Sequence, residues 1–305
     1  MVTPSFLIIS LLLVMLGTFF VCGIPFGLLV GHALGTDPRT VGSKNIGATN
    51  VSREVNFFAG VLTAVLDIAK GFVCTYFGVR IIALVLLVPP VYFLPDEPYL
   101  PQHAWVSAFI FLAAICGHVF SPYLKFKGGK GIAVGFGAAL GFSWPIALGL
   151  IVVWGICCFP TRYVSVGSIA SAAALPFLAF FIYYPVSISF EMPFVLIAII
   201  VIWAHRKNLR RLRKGLEPKL SGSRESQQLD ALLDPGLDEE IRLEEPVFTE
   251  GKRSDTGKDL PEQGTSVFFG SEPVVTSHVQ KCVEHLKSDG RNTTDSNKTN
   301  HDEED

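Results

Sequence analysis

The stretch Gly131–Phe159, GIAVGFGAALGFSWPIALGLIVVWGICCF, decides the fold. It carries no charge over 29 residues and can be read as one long helix or as a hairpin of two short ones. Trp144-Pro145, just after Gly141, offers a break near its centre, because proline has no N–H to give and its ring crowds the preceding turn. The flanks separate the two readings. Lysines of KFKGGK precede the stretch and Arg162 follows it, and basic loops collect on one face of a membrane. Both flanks share a face only if the stretch turns back, which favours the hairpin. Each arm is then about 20 Å long against a hydrocarbon core of roughly 30 Å, so the arms sit where the protein is thin or re-entrant.

Outward from this stretch, further apolar runs lie near 5–30, 57–79, 104–121, 164–184 and 188–205. Apolar residues make up 50% of the chain and charged ones 17%, in the long uncharged runs of a multi-span membrane protein rather than a soluble domain. The expected fold is all-α and polytopic, with about seven transmembrane helices. Arg39, Lys44, Arg53, Lys125, Lys127, Lys130, Arg162 and the basic segment Arg206 to Lys219 then share one side, and Asp96 and Glu97 the other. By the positive-inside rule the N-terminus is outside and the C-terminus cytosolic. The first run has no basic residue before it and no small-residue cleavage site after it, so it is read as a retained helix. Residues 80–103 form a proline-rich outer loop, whose apolar half, Ile81 to Val88, either extends the second helix or lies at the interface.

Net charge is −2, but it divides unevenly. Residues 1–220 hold 16 Lys and Arg against 7 Asp and Glu, and residues 221–305 hold 9 against 20. The expected organisation is a membrane domain over 1–220 and a disordered acidic cytosolic tail over 221–305, too polar to offset its ordering entropy. The six cysteines show no paired spacing and five lie in apolar runs, where they read as small packing residues. No ligand-spaced cluster of His, Cys and carboxylates points to a metal or a cofactor.

Four polar segments converge on the basic side. GHVFSPYLKFKGGKG, Gly117 to Gly131, is a glycine loop studded with lysines, whose N–H groups and ammonium groups suit an oxyanion, with phosphate the natural candidate. GSKNIGATNVSR, Gly42 to Arg53, supplies hydroxyl, amide and guanidinium donors at Ser43, Asn45 and Arg53. TRYVSVGSI, Thr161 to Ile169, and HRKNLRRLRKGLEPK, His205 to Lys219, complete the set. Taken singly, each reads as a topology anchor or a helix cap; together they suggest one anion site. Asp67 and Lys70 stand three residues apart inside the second span, where an unpaired charge is expensive, and read as a supporting ion pair.

As a set, these segments and the order in which they occur resemble the bacterial acyl-phosphate:glycerol-3-phosphate acyltransferase family, over most of residues 1–220. The resemblance implies seven spans in the cytoplasmic (inner) membrane with the active site on the cytosolic face. It also implies transfer of a fatty acyl group from a long-chain acyl phosphate to the 1-hydroxyl of glycerol 3-phosphate, giving lysophosphatidic acid. Carried over by motif, Ser43, Asn45, Arg53 and Lys127 or Lys130 hold glycerol 3-phosphate. Gly128, Gly129, Lys130 and Gly131 cradle the acyl phosphate, and Ser165, His205 and Asn208 complete the catalytic site. His205 has an orienting role first and a base role second, since the reacting phosphate can itself take the hydroxyl proton. The implied partners are the two substrates, membrane lipid and the enzyme that supplies acyl phosphate; nucleic acid is not among them. Lys44, Ile46 and Ser121 depart from the family pattern, and the acidic tail is an addition to it.

Two other readings compete. His32 and Asp37 form a His-x-x-x-x-Asp pair of the kind that thioester-dependent acyltransferases use, with the carboxylate orienting the imidazole as a base. A transporter for an organic phosphate also fits one-sided basic loops, although no internal repeat is visible. A nucleotide-binding loop is excluded, because the lysine loop lacks the first glycine and the following Ser or Thr.

Overall fold

The computed structural model describes residues 4–93, 103–184 and 187–220. The tail from Ser221, and Asp96 and Glu97 of the outer loop, lie outside the described residues. The protein is all-helical there: α1 (Pro4–Gly23), α2 (Phe26–Ala33), α3 (Ala48–Glu54), α4 (Phe57–Val85), α5 (Trp105–Val119), α6 (Ile132–Phe142), α7 (Trp144–Thr161), α8 (Val164–Tyr183), α9 (Ile188–Ala204) and α10 (Arg206–Arg213).

Five of these segments are long and apolar enough to cross a membrane, or six when α9 and α10, bent by 55°, are taken as one span. The sides turned away from the core carry Leu13, Val65, Ile156 and Phe181, all exposed, as lipid-facing surfaces do. The first apolar run is not one helix. Pro25 breaks it between α1 and α2, because proline cannot continue the hydrogen-bond ladder. The apolar half of the outer loop is largely helical, since α4 runs on to Val85.

The deciding stretch breaks at Ser143, whose backbone is extended at φ −163° and ψ 119°. Pro145 falls in the first turn of α7, where its missing N–H costs nothing. The Ser143 hydroxyl is hydrogen-bonded to that of Tyr183, which ties the break to the end of α8. Lys130 and Ser165, which bracket the stretch, line one cavity, so the two ends of the stretch come back together. Its first arm, α6, has 11 residues and is about 16 Å long. It packs closely on α4 because Gly71 and Gly137 carry no side chain: a Cβ on Gly137 would strike the Ile68 carbonyl, and one on Gly71 the Val134 carbonyl. Phe111, Phe142, Phe190 and Phe194 close the core between α5, α6 and α9 in edge-on and tilted ring contacts.

Candidate active site

A cavity of about 480 Å³ is lined by residues of α3, α5, α8 and α10, among others. Its polar end is lined by Ser43, Asn45, Arg53, Lys130, Ser165, His205, Asn208, Arg211 and Glu217, and it continues between α5, α7, α8 and α9 into an end lined by Phe111, Ile115, Leu150, Leu175 and Ile197.

The loop before α3 is built around Asn50, which is buried. Its amide donates to the Pro38 carbonyl at 2.9 Å, and its Oδ1 accepts from the Ser43 N–H at 2.8 Å and the Ser43 hydroxyl at 3.0 Å. Ser43 is therefore held in place by a residue that the sequence alone did not single out. Asn45 Oδ1 accepts from the Gly47 N–H at 2.8 Å, so the turn fixes one end of that amide. Arg53, in the last turn of α3, faces the carbonyls of Pro218 and Lys219, each at 3.4 Å.

Only part of the lysine loop faces the cavity. The N–H groups of Gly128 and Gly129 donate to the carbonyls of Val119 and His118 at 3.0 and 3.1 Å, so both are spent on the end of α5. Lys127, Gly128 and Gly129 do not line the cavity, whereas Lys130 and Gly131 do. Glycine is required at 128 and 129 for close packing: a Cβ on Gly128 would meet the His118 carbonyl, and one on Gly129 the His118 imidazole. Burial pushes the Lys130 ammonium down to about 8, with the Arg211 cation adding to the shift, Glu217 opposing it and Arg53 adding a little more.

Beneath the loop, Lys70 Nζ sits 2.8 Å from Asp67 and donates to the Ile24 carbonyl at 2.7 Å. Both charged side chains are buried, and His118 Nδ1 lies 3.9 Å from the same carboxylate. The carboxylate thus links the structural pair to the cavity wall, since Asp67 and His118 both line it.

His205 is buried at the junction of α9 and α10, with Nδ1 2.8 Å from the Val201 carbonyl. A carbonyl only accepts, so Nδ1 carries a proton and a neutral ring keeps Nε2 as an acceptor. Asn208 donates to Glu217 Oε1 at 2.6 Å, and Arg211 Nε donates to Glu217 Oε2 at 2.8 Å. Asn208 Oδ1 and Ser165 Oγ are buried without a partner among the described residues. Such atoms cost free energy unless something hydrogen-bonds to them, and both residues line the cavity. Glu217 and Arg211 were not singled out as site residues from sequence. The available signal was that Glu217 is the one acid in the basic stretch His205–Lys219.

The His32 and Asp37 pair stands apart. His32 Nε2 lies 3.3 Å from Asp37, but the same carboxylate holds Arg39 at 2.6 Å, and neither His32 nor Asp37 lines the cavity. The Arg39 hydrogen bond keeps Asp37 well below the usual carboxylate range. His32→Ala should leave kcat/KM for acyl transfer within about twofold of wild type, as for most surface changes; a collapse of rate in folded protein would return the thioester dyad to contention.

The family profile described as glycerol-3-phosphate acyltransferase matches residues 12–215. The chain is 39% identical over 198 residues to the glycerol-3-phosphate acyltransferase of Erythrobacter litoralis, covering 65% of this chain and 88% of the relative. It is 40% identical over 200 residues to that of Geobacter sulfurreducens, covering 65% and 92%. Among solved structures, it is similar to PlsY (YgiH), an integral membrane glycerol 3-phosphate acyltransferase. In the glycerol 3-phosphate form the identity is 30% and the TM-score 0.59, over 74% of this chain and 100% of that one. In the lysophosphatidic acid form the TM-score is 0.57, over 69% and 95%.

Proposed function

The chain belongs to the glycerol-3-phosphate acyltransferase family, and on that premise we propose that it transfers a fatty acyl group from acyl phosphate to the 1-hydroxyl of glycerol 3-phosphate. The glycerol oxygen bonds to the acyl carbon, the bond from that carbon to the phosphate oxygen breaks, and the departing phosphate takes the hydroxyl proton. The products are lysophosphatidic acid and inorganic phosphate. The observation that carries this reading is one cavity whose cationic end, with two unpartnered buried oxygens, continues into an apolar end. Two phosphates and an alkyl chain need that combination.

Arg53 and Lys130 hold the phosphates, Ser43 and Asn45 the polyol, and Ser165 and Asn208 supply the remaining hydrogen bonds. His205 accepts the glycerol hydroxyl at Nε2 and orients it. The donor is already activated, so alignment and stabilisation of the leaving phosphate supply the acceleration. Counting α6, the chain makes seven passes of the cytoplasmic membrane, with the N-terminus outside and the cavity mouth and C-terminus in the cytosol. The excess of basic residues at the mouth supports that orientation.

The test is transfer to labelled glycerol 3-phosphate by the purified chain, with palmitoyl phosphate and palmitoyl-CoA offered in parallel. Transfer from the phosphate alone is expected; transfer from the thioester alone would overturn the donor assignment. Arg53→Ala should raise KM for glycerol 3-phosphate by about tenfold, the lower end for a charge-assisted contact, and an unchanged KM would remove Arg53 from the phosphate site. Lys130 should give kcat/KM a pH dependence. Its ammonium is charged below about 8 and neutral above, so kcat/KM should be level below that pH and fall above it, by at most about tenfold per pH unit. Lys130→Arg, which stays charged, should flatten the fall; a profile identical to wild type would assign it to another group.

A further inference from the structure

The lysines that the cavity leaves out, Lys125 and Lys127, follow the end of α5, and α10 follows the end of α9. Lys125 and Lys127 are exposed, and between them Phe126 is 63% exposed. Lys125 and Phe126 both have positive φ, 51° and 60°. A bulky aromatic residue in that region is a backbone outlier, which persists only where surrounding bonds enforce it. Here the Phe126 N–H donates to the Ser121 carbonyl at 2.9 Å, and the Ser121 hydroxyl donates to the Gly23 carbonyl at 2.6 Å. The strain turns Phe126 outward.

The loop leaves the end of α5 and α10 leaves the end of α9, and those two helix ends are neighbours: the ring of Phe120, which caps α5, lies 5.8 Å from that of Trp203 in the last turn of α9. The Arg206 guanidinium lies over Trp203 at 4.0 Å. Arg206, Lys207, Arg210 and Arg213 are exposed on α10, whereas Asn208 is buried and lines the cavity with Arg211. One short helix therefore carries a cationic face outward and two site residues inward. Residues 121–127 and 203–214 contain no acidic residue.

We propose that the outer face of α10 and the Tyr123–Lys127 loop form a docking surface for anionic phospholipid headgroups in the leaflet at the cavity mouth, and that their binding seats Asn208 and Arg211 for catalysis. Charge complementarity selects an anion. The aromatic residues among the cations, Tyr123, Phe126 and Trp203, select a lipid over an acidic soluble protein, since aromatic and basic side chains together suit the boundary between headgroup and acyl chain.

The test uses the full chain in phosphatidylcholine vesicles with increasing fractions of phosphatidylglycerol, with kcat read at saturating substrates. Wild type should rise by at least about fivefold, the low end for coupling between sites. The triple variant Lys207→Gln, Arg210→Gln, Arg213→Gln should match wild type in pure phosphatidylcholine and lose the rise. Absence of activation in wild type, or full activation of the triple variant, would overturn the proposal. Equal activation by polyglutamate in phosphatidylcholine vesicles, abolished in the triple variant, would also overturn it by assigning the surface to an acidic polypeptide. This inference rests on the acyl-transfer reading only for its turnover readout. Native mass spectrometry from mixed micelles tests it separately: wild type should retain phosphatidylglycerol over phosphatidylcholine and the triple variant should not, whichever acyl donor proves correct. Equal retention by both proteins would overturn the proposal.

Discussion

Glu217→Ala should lower kcat/KM by up to about a hundredfold in protein that still folds. The carboxylate accepts from Asn208 and Arg211 at once, and it is buried, with 6% of its side chain exposed. Removing one partner of a buried ion pair costs about 3–5 kcal/mol, mostly because the charge left behind has no compensation. Arg211 keeps 27% exposure, so the lower end applies, and about 3 kcal/mol falling wholly on the transition state sets the hundredfold ceiling. Part of the loss should appear as a lower melting temperature. The strap after α10 is held at Glu217, at the two carbonyls facing Arg53, and at the Leu220 N–H, which donates to the Arg162 carbonyl at 2.7 Å. Glu217→Gln keeps an acceptor for Asn208 but removes the charge opposite Arg211, so it should fall between wild type and alanine. Kinetics on the monodisperse fraction from size exclusion separate the two effects. Wild-type kcat/KM in folded Glu217→Ala would show that Asn208 and Arg211 need no such anchor.

The sequence made the membrane architecture legible through charge. Arg162 and Lys130 on either side of an uncharged stretch argued for a turn at Trp144-Pro145, and the chain breaks at Ser143, one residue earlier. The helix limits near 57–79 were less legible, because an apolar run that continues past a span looks the same whether it stays helical or bends along the interface. Ser43, Asn45, Arg53, Lys130, Ser165, His205 and Asn208 were read from motifs and lie around one cavity. Asn50 was harder to see: its value comes from reaching back 12 residues to the Pro38 carbonyl while holding Ser43, a relation without local spacing. His32 and Asp37 show the converse. Their spacing matches a reactive dyad, and only tertiary structure shows the carboxylate committed to Arg39 and the pair outside the cavity.

The glycine loop shows why such a motif has two readings, and Gly129→Ala separates them. Glycine is used where backbone N–H groups must face an anion and also where backbone must pass close to another group; the sequence signal is the same. If Gly129 served as a cradle, alanine would keep the N–H and change only the backbone freedom. In this structure the N–H is already bonded to the His118 carbonyl, and the added methyl would collide with the His118 ring, which is buried. Overpacking of this kind costs about 1–3 kcal/mol, and the ring has little room to move, so the loop must lift and carry Lys130 with it. Gly129→Ala should therefore lower kcat/KM by up to about a hundredfold, mainly through KM for the phosphate substrates. The double variant Gly129→Ala, His118→Ala should recover part of that loss relative to His118→Ala alone, because the colliding ring is gone and the two effects are coupled through contact. Strict additivity of the two substitutions would mean that the methyl acts on something other than His118, and the packing account of this glycine would fail.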